Sequence, residues 1–133
     1  MVVLSNTTGQ TLQPGQTLTF DRLVTPSGCS ECARSGGPVG LRYSGVYRVA
    51  FHGNVTGATA AAPVELSISI GGAPLAETEM IYTPAAADAV GNVGAETYVK
   101  TCNSGNNVTV VNTGENPITI SPNTALTVAK TSY

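Results

Sequence analysis

A long alternation of apolar and polar side chains constrains the fold of this chain more than any other feature. Residues 43–56 read YSGVYRVAFHGNVT, and the alternation keeps a strict period of two over ten residues. The apolar side comprises Tyr47, Val49, Phe51 and Val55, and the opposite side comprises Arg48, Ala50, His52, Asn54 and Thr56. A period of two is typical of a half-buried β-strand. We therefore predict that this segment is the central strand of an all-β core.

The remaining sequence repeats this pattern in shorter runs separated by turn residues. TLTFDRLV at 17–24 and VELSISI at 64–70 both alternate, and we expect Ser67 and Ser69 on the solvent side of the second run. Gly71-Gly72 then favours a tight hairpin, because both central residues of such a turn adopt a positive φ. Residues 75–82 are predicted to return as a strand, 83–94 to form a loop, and 95–102 to form another strand. Eight or nine short antiparallel strands predict a β-sandwich or barrel.

The length and the low charge content bear on domain organisation and assembly. The 133 residues fit one domain, with 1–16 as an N-terminal arm or edge strand and 17–133 as a single β-domain. Charged residues make up 11% of the chain, against roughly 25% in ordinary soluble domains. So few charges make it difficult to cover a monomer with polar groups. We therefore expect part of the surface to be buried against copies of the same chain.

Several partner classes are not expected. The net charge is −2 and no run of Lys or Arg occurs, so the chain lacks the electrostatic footprint of a nucleic-acid-binding protein. The longest apolar stretch is too short to span a bilayer, so no membrane partner is expected. MVVLSNTTGQ lacks the basic and apolar regions of a secretory signal. We therefore expect either assembly in the cytoplasm or the removal of an upstream segment.

The central strand carries the signature of a known fold family. Gly45-Val46-Tyr47-Arg48-Val49-Ala50-Phe51 resembles the Gly-x-Tyr-x-Val-x-Phe strand of C1q/TNF-like jelly rolls. The hairpin ISIGGAPL, the segment VTVVNTG and the terminal run ALTVAKT follow in the order of that family. The resemblance covers roughly residues 17–130, and the overall pattern is similar to small C1q-like domains encoded by bacteria and their phages. It implies a jelly-roll β-sandwich that assembles as a homotrimer.

The resemblance also suggests roles for the tyrosines. In this family, aromatic residues of the central strand pack against neighbouring subunits. Tyr47, Val49 and Phe51 are therefore expected in the core or at the trimer interface, with Tyr133 near the base of the trimer. Tyr82 and Asp88 are candidates for a ligand-binding loop, because an exposed Tyr can stack on a sugar ring.

No metal or cofactor is expected, although weak metal candidates exist. Cys29-Ser-Glu-Cys32 has the spacing of half a zinc site, but no second such pair follows, and a local disulfide or free thiols remain alternatives. Cys102 fits a buried thiol or a contact near a three-fold axis. Glu77 and Glu79 are weak calcium candidates on one strand face.

Catalysis is not expected, because the chain is short of convergent catalytic groups. The lone histidine, His52, has no Asp or Glu near it in sequence and falls on the outer face of its strand. We therefore predict a non-catalytic, homotrimeric structural protein of a phage virion surface, either a capsid decoration protein or a head-fibre knob. Its partners would be its own copies and phage capsid or fibre proteins. The alternative is a lectin-like adhesion module on an extracellular surface, at the tip of a collagen-like fibre and bound to a cell-surface glycan.

Overall fold

The computed structural model describes residues 1–24, 31–32, 39–57, 59, 61–86, 89–101 and 106–132. The described strands are β1 (Val2–Ser5), β2 (Gln10–Leu12), β3 (Arg22–Leu23), β4 (Glu31–Cys32), β5 (Val39–Leu41), β6 (Gly45–Gly57), β7 (Val64–Ile70), β8 (Ala73–Pro74), β9 (Met80–Tyr82), β10 (Val90–Thr101), β11 (Asn106–Asn112), β12 (Ile118–Ile120) and β13 (Ala125–Ser132). A single 3₁₀ turn, Ala76–Thr78, lies between β8 and β9.

The strands form two antiparallel sheets. The first, here called the β6 sheet, has the order β2-β12-β6-β13-β1-β3, and β10 pairs with β6 as well. Because β10 runs along almost the whole of β6, strands β12 and β13 share the opposite edge of β6. The second sheet has the order β4-β5-β11-β7-β8, with β9 also paired to β7. This confirms the predicted all-β sandwich and places the 43–56 segment at the centre of one layer.

The hydrophobic core lies between the inner faces of the two sheets. The predicted inward set on β6 is buried, with Tyr47 and Val49 fully inaccessible and Phe51 2% exposed. Leu66 of β7 and Val110 of β11, both fully buried, contribute from the second sheet. On β6 the alternation of side chains therefore determines which residues enter the core.

The N-terminal residues are more closely integrated than a free arm. Strand β1 lies between β13 and β3, and its Val2 and Leu4 are fully buried. Strand β2 does lie at an edge of the β6 sheet. The alternation in residues 2–5 is too short to reveal burial from the sequence. In addition, β1 pairs with β13, which lies at the other end of the sequence, so the pairing is not visible in the local pattern.

The prediction of one continuous strand over 75–82 is wrong. The Thr78 hydroxyl donates to the carbonyl of Leu75 over 2.8 Å, and it accepts the backbone N–H of Ile68 over 3.0 Å. A side chain thus replaces a backbone partner of β7, and the chain turns through the 3₁₀ segment. Glu77 lies within this turn and Glu79 directly after it, so the two do not share a strand face.

Three further local predictions differ from the structure. β10 begins at Val90 and not at residue 95, so part of the expected 83–94 loop is strand. Only Arg22–Leu23 of the 17–24 run is strand, although Leu18 and Phe20 are buried as a pair. Ser67 and Ser69 are 4% and 3% exposed and not solvent-facing. Ser67 and Ser69 are small side chains in the middle of β7, and this strand is paired with β8, β9 and β11.

Candidate self-association surface

The side chains of the β6 sheet that point away from the core form a broad face. In-register pairing places Ser5, Ala125, His52 and Gly94 in one cross-strand row. The neighbouring rows are Val3-Thr127-Ala50-Glu96 and Ala129-Arg48-Tyr98. We call these residues the outer β6 face: Val3, Ser5, Arg48, Ala50, His52, Gly94, Glu96, Tyr98, Ala125, Thr127 and Ala129.

Small side chains make the middle of the outer β6 face low in relief. Ala50, Ala125 and Thr127 are half-buried by their neighbours within the sheet, and Ser5 is 8% exposed. Towards β10 the face becomes exposed, and Tyr98 shows 60% of its surface. A flat patch of small residues bordered by an exposed tyrosine suits contact with another protein surface.

The two charged side chains of the outer β6 face neutralise each other. Arg48 on β6 donates from Nε and Nη2 to the two carboxylate oxygens of Glu96 on β10, each over 2.9 Å. The hydrogen bonds from Arg48, together with its charge, lower the pKa of the Glu96 carboxyl. The hydrogen bonds to Glu96, together with the negative charge of its carboxylate, raise the pKa of Arg48. At neutral pH the face therefore carries almost no net charge despite containing an ion pair.

His52 is exposed in the middle of this face. Its in-row neighbours are Gly94, which has no side chain, and Ala125, which has only a methyl group. The nearest acidic residue along β10 is Glu96, which is bound to Arg48. No carboxylate therefore shares the row of His52, and this arrangement does not orient an imidazole as a general base.

The predicted core-or-interface residues lie inside a single chain. The hydroxyl of the buried Tyr47 donates to the carbonyl of Tyr43 over 2.8 Å, which satisfies its polar tip. Val49 and Phe51 pack in the same core cluster. Candidate contacts with another copy are instead the residues that alternate with them on the outer face. The sequence leaves both the core and the trimer interface open for Tyr47, Val49 and Phe51, and all three are buried in the core of one chain.

The ligand-loop candidate Tyr82 has a packing role. Its ring lies against Gly91, where an added Cβ would come within 2.5 Å of the ring carbons. The Tyr82 side chain is half-buried, and its hydroxyl donates to the carbonyl of Ala89 over 3.4 Å. Asp88, the other ligand-loop candidate, lies outside the described residues.

The metal candidates do not come together in the described structure. Glu77 and Glu79 are both exposed, and no group of three His, Cys, Asp or Glu is placed to hold a metal ion in the described ranges. Cys29, Cys102 and Tyr133 fall outside those ranges. Cys32 belongs to β4, whose backbone pairs with β5.

Among the described residues, no helix has the length and hydrophobicity that crossing a membrane requires.

Comparison with solved structures identifies the fold. No protein-family model matches the sequence, and no curated protein does. The globular domain of zebrafish complement 1qA is 11% identical with a TM-score of 0.67, over 96% of this chain and 94% of that one. Eiger TNF from S. frugiperda is 13% identical with a TM-score of 0.71, over 98% and 91%. The vertex protein P5 of PRD1 is 18% identical with a TM-score of 0.50, over 97% and 94%. The fold is therefore a C1q/TNF-like jelly roll, as the central-strand signature predicted.

Proposed function

We propose that this chain is a non-catalytic, homotrimeric structural protein of a phage virion surface, either a capsid decoration protein or a head-fibre knob. It would assemble in the host cytoplasm and bind capsid or fibre proteins. The observation that carries the proposal is the outer β6 face, because a flat, small-residue, charge-neutral face suits burial against another copy. Closed cyclic symmetry would bury this face in every copy and shield the strand edges.

The virion setting draws its support from the fold comparison. The similarity to the vertex protein P5 of PRD1 extends over nearly the whole of both chains. That protein is a phage vertex protein, so a jelly roll of this kind is compatible with a place on a particle. Fold alone does not determine function, and the virion assignment is therefore tested separately from assembly.

Two contacts favour a structural role over the catalytic and lectin-like alternatives. His52 lacks a carboxylate in its row, and Glu96 is occupied by Arg48. Tyr82 is half-buried, with its ring against Gly91 and its hydroxyl hydrogen-bonded to Ala89, so packing covers part of the ring that stacking on a sugar would need.

Solution mass tests the assembly. Light scattering should give a mass of about three times 13.5 kDa, unchanged by reductant. Thr127→Glu adds a charge to the middle of the outer β6 face and should yield monomers. Thr109→Glu is the matched control, since Thr109 is also half-buried but belongs to the second sheet, opposite Ser69. A monomeric wild-type protein, or equal mass changes in both variants, would contradict self-association through this face.

Gene order and glycan binding test the biological setting. A major capsid gene next to the coding sequence would support the virion role, whereas a collagen-like gene would favour the adhesion alternative. A glycan array gives independent evidence. Specific binding that is lost on mutation of Tyr82 or of residues in the 83–94 loop would replace the structural proposal with a lectin-like one.

A further inference from the structure

Basic side chains gather at one end of the sandwich, where β6 begins. The whole chain has six lysine and arginine residues. Four of them, Arg42, Arg48, Lys100 and Lys130, lie at or near this end. Arg48 is paired with Glu96. Arg42 directly precedes the exposed Tyr43, and Lys130 lies over the Tyr43 ring. We call Arg42, Tyr43, Lys100 and Lys130 the basic end.

Strand register brings these residues to the same end from three different elements. Lys100 pairs with Val46 near the start of β6, and Lys130 of β13 pairs with Tyr47. The Nζ atom of Lys130 lies 6.0 Å from the ring centroid of Tyr43, at the limit of a cation–π contact. Arg42 directly follows β5, whose last residue pairs with Asn106 of β11.

A side-chain contact fixes the two sheets to each other at this end. The Asn106 amide donates to the Thr101 hydroxyl over 2.9 Å, which links the beginning of β11 to the end of β10. Arg42 and Lys100 are therefore carried by connected elements and not by independent tails. Their relative placement is set by the sandwich itself.

Three of the four residues of the basic end are exposed, and Lys130 is half-buried. Arg42 and Lys100 are exposed, and Tyr43 shows 53% of its surface. Neither Arg42 nor Lys100 forms an ion pair with a described residue. Glu31 pairs with Leu41 at this end, but its side chain is not described.

Acidic residues occupy the opposite end. Glu65 lies near the start of β7, and Glu115 lies in the turn between β11 and β12. Gly114 brings that turn against Glu65, since a Cβ at Gly114 would lie 2.9 Å from a Glu65 carboxylate oxygen. Glu65 and Glu115 therefore lie together at the end of the sandwich opposite to Arg42 and Lys100.

We propose that the basic end is a docking surface for a carboxylate-rich surface of another protein. The inference rests on the proposed trimer, because the expected affinity depends on a cyclic assembly that presents the same end of every copy on one side. Three weak contacts made at once gain avidity without any new contact. The basic end would then face the particle, and the opposite end, which carries Glu65 and Glu115, would face outward.

The composition of the basic end favours a protein partner over other anions. Arg and Tyr are enriched in protein–protein interfaces, and Arg binds a carboxylate through two parallel hydrogen bonds. Three cations in a chain of net charge −2 are too few to follow a phosphate backbone. A protein surface with a few Asp or Glu residues needs no more positive charge than this end provides.

Charge-reversal variants test the docking surface. Binding of the full chain to immobilised poly-L-glutamate is measured at about 20 mM and about 200 mM salt, since screening should weaken it. Arg42→Glu and Lys100→Glu should each lower the affinity about fivefold to tenfold. Arg22→Glu is the matched control, because Arg22 is also exposed, on β3 at the far edge of the sheet. It produces the same change in net charge and should lower the affinity less than about twofold.

Three other binding results would overturn the inference. Absence of wild-type binding at low salt, or an equal loss in all three variants, would mean that no localised docking surface exists. Binding to polygalacturonate or double-stranded DNA that is as tight as binding to poly-L-glutamate would exclude a protein-specific surface. Light scattering on the same samples separates the two proposals. A monomeric wild-type protein contradicts the trimer, whereas an intact trimer that ignores Arg42→Glu contradicts the docking surface alone.

Discussion

Gly53 is the residue at which one added methyl group should disturb this fold most directly. It occupies an inward position on β6, and an added Cβ would overlap the Cγ2 methyl of Thr124. Thr124 is fully buried and held in place, since its backbone N–H and hydroxyl both donate to the Asn6 side-chain oxygen, over 3.0 and 2.5 Å. Its β-branched side chain cannot rotate away without losing the hydrogen bond of its hydroxyl to Asn6.

Substitution of Gly53 tests this packing. We expect Gly53→Ala to lower the free energy of unfolding by about 2 kcal/mol, because overpacking a rigid site forces neighbours to shift. Thr124→Ser removes the obstructing methyl and keeps the hydroxyl. The double variant should therefore recover part of the loss in a urea-denaturation cycle. Gly94→Ala is the control, since its added Cβ would come no closer than 3.2 Å to a described neighbour. Additive effects of the two changes would contradict the argument.

The sequence identifies Gly53 as inward-facing but does not show why it is glycine. Alternation assigns its side of the strand. Its partner Thr124 follows 71 positions later in the chain, and that contact depends on how the C-terminal segment returns to β6. The same limit applies to Tyr82. The sequence marks it as an aromatic residue beside a loop, but Gly91, which accommodates its ring, becomes visible only in the folded structure.

At the level of elements, one ion pair joins the two longest strands of the molecule. Arg48 on β6 and Glu96 on β10 form a bidentate contact on the outer β6 face. The pKa of Glu96 is lower in the folded chain, because Arg48 stabilises the carboxylate. The unfolded chain therefore takes up a proton at higher pH than the folded one. The stabilisation is complete above the ordinary carboxyl pKa and is lost as the pH falls through the lowered folded value.

A pH series of thermal unfolding tests the sign of this coupling. The wild-type midpoint should fall as the pH decreases from neutral through the carboxyl range. Glu96→Gln should show a smaller fall, because the ion pair is already absent. Glu115→Gln removes an exposed carboxylate from the turn between β11 and β12 and should follow the wild type. A Glu96→Gln curve parallel to the wild-type curve would mean that the exposed pair contributes nothing measurable.

Alternation predicts a strand correctly where backbone hydrogen bonds continue along it, and fails where a side chain replaces a backbone partner. The full 64–70 run is β7, and the Gly71-Gly72 turn has positive φ at both residues, as predicted. The 75–82 run also places Met80 and Tyr82 on the side opposite to Glu77 and Glu79, yet the Thr78 hydroxyl accepts the backbone N–H of Ile68 in β7, and the chain turns there. Alternation shows which side chains share a face, but it cannot distinguish a backbone partner from a threonine hydroxyl at the same place.

For the whole molecule, the sequence specifies the sandwich more completely than the use of its surfaces. The central-strand signature and the spacing of the runs were enough to predict the jelly roll. The outer β6 face required the pairing of β1, β6, β10 and β13, which come from both halves of the chain. The low charge content indicated a buried surface, but only the register shows that small residues from four strands form one continuous patch.

Self-association through that patch predicts a concentration-dependent stability for the whole molecule. If unfolding also separates three copies, mass action raises the thermal midpoint with protein concentration, by about 3 °C for each tenfold increase in a domain of this size. Thr127→Glu should remove this dependence because it blocks assembly, and Thr109→Glu should retain it. Differential scanning calorimetry over a hundredfold concentration range would measure both. A wild-type midpoint independent of concentration, together with a monomeric mass, would show that the outer β6 face is stable in water without a partner copy.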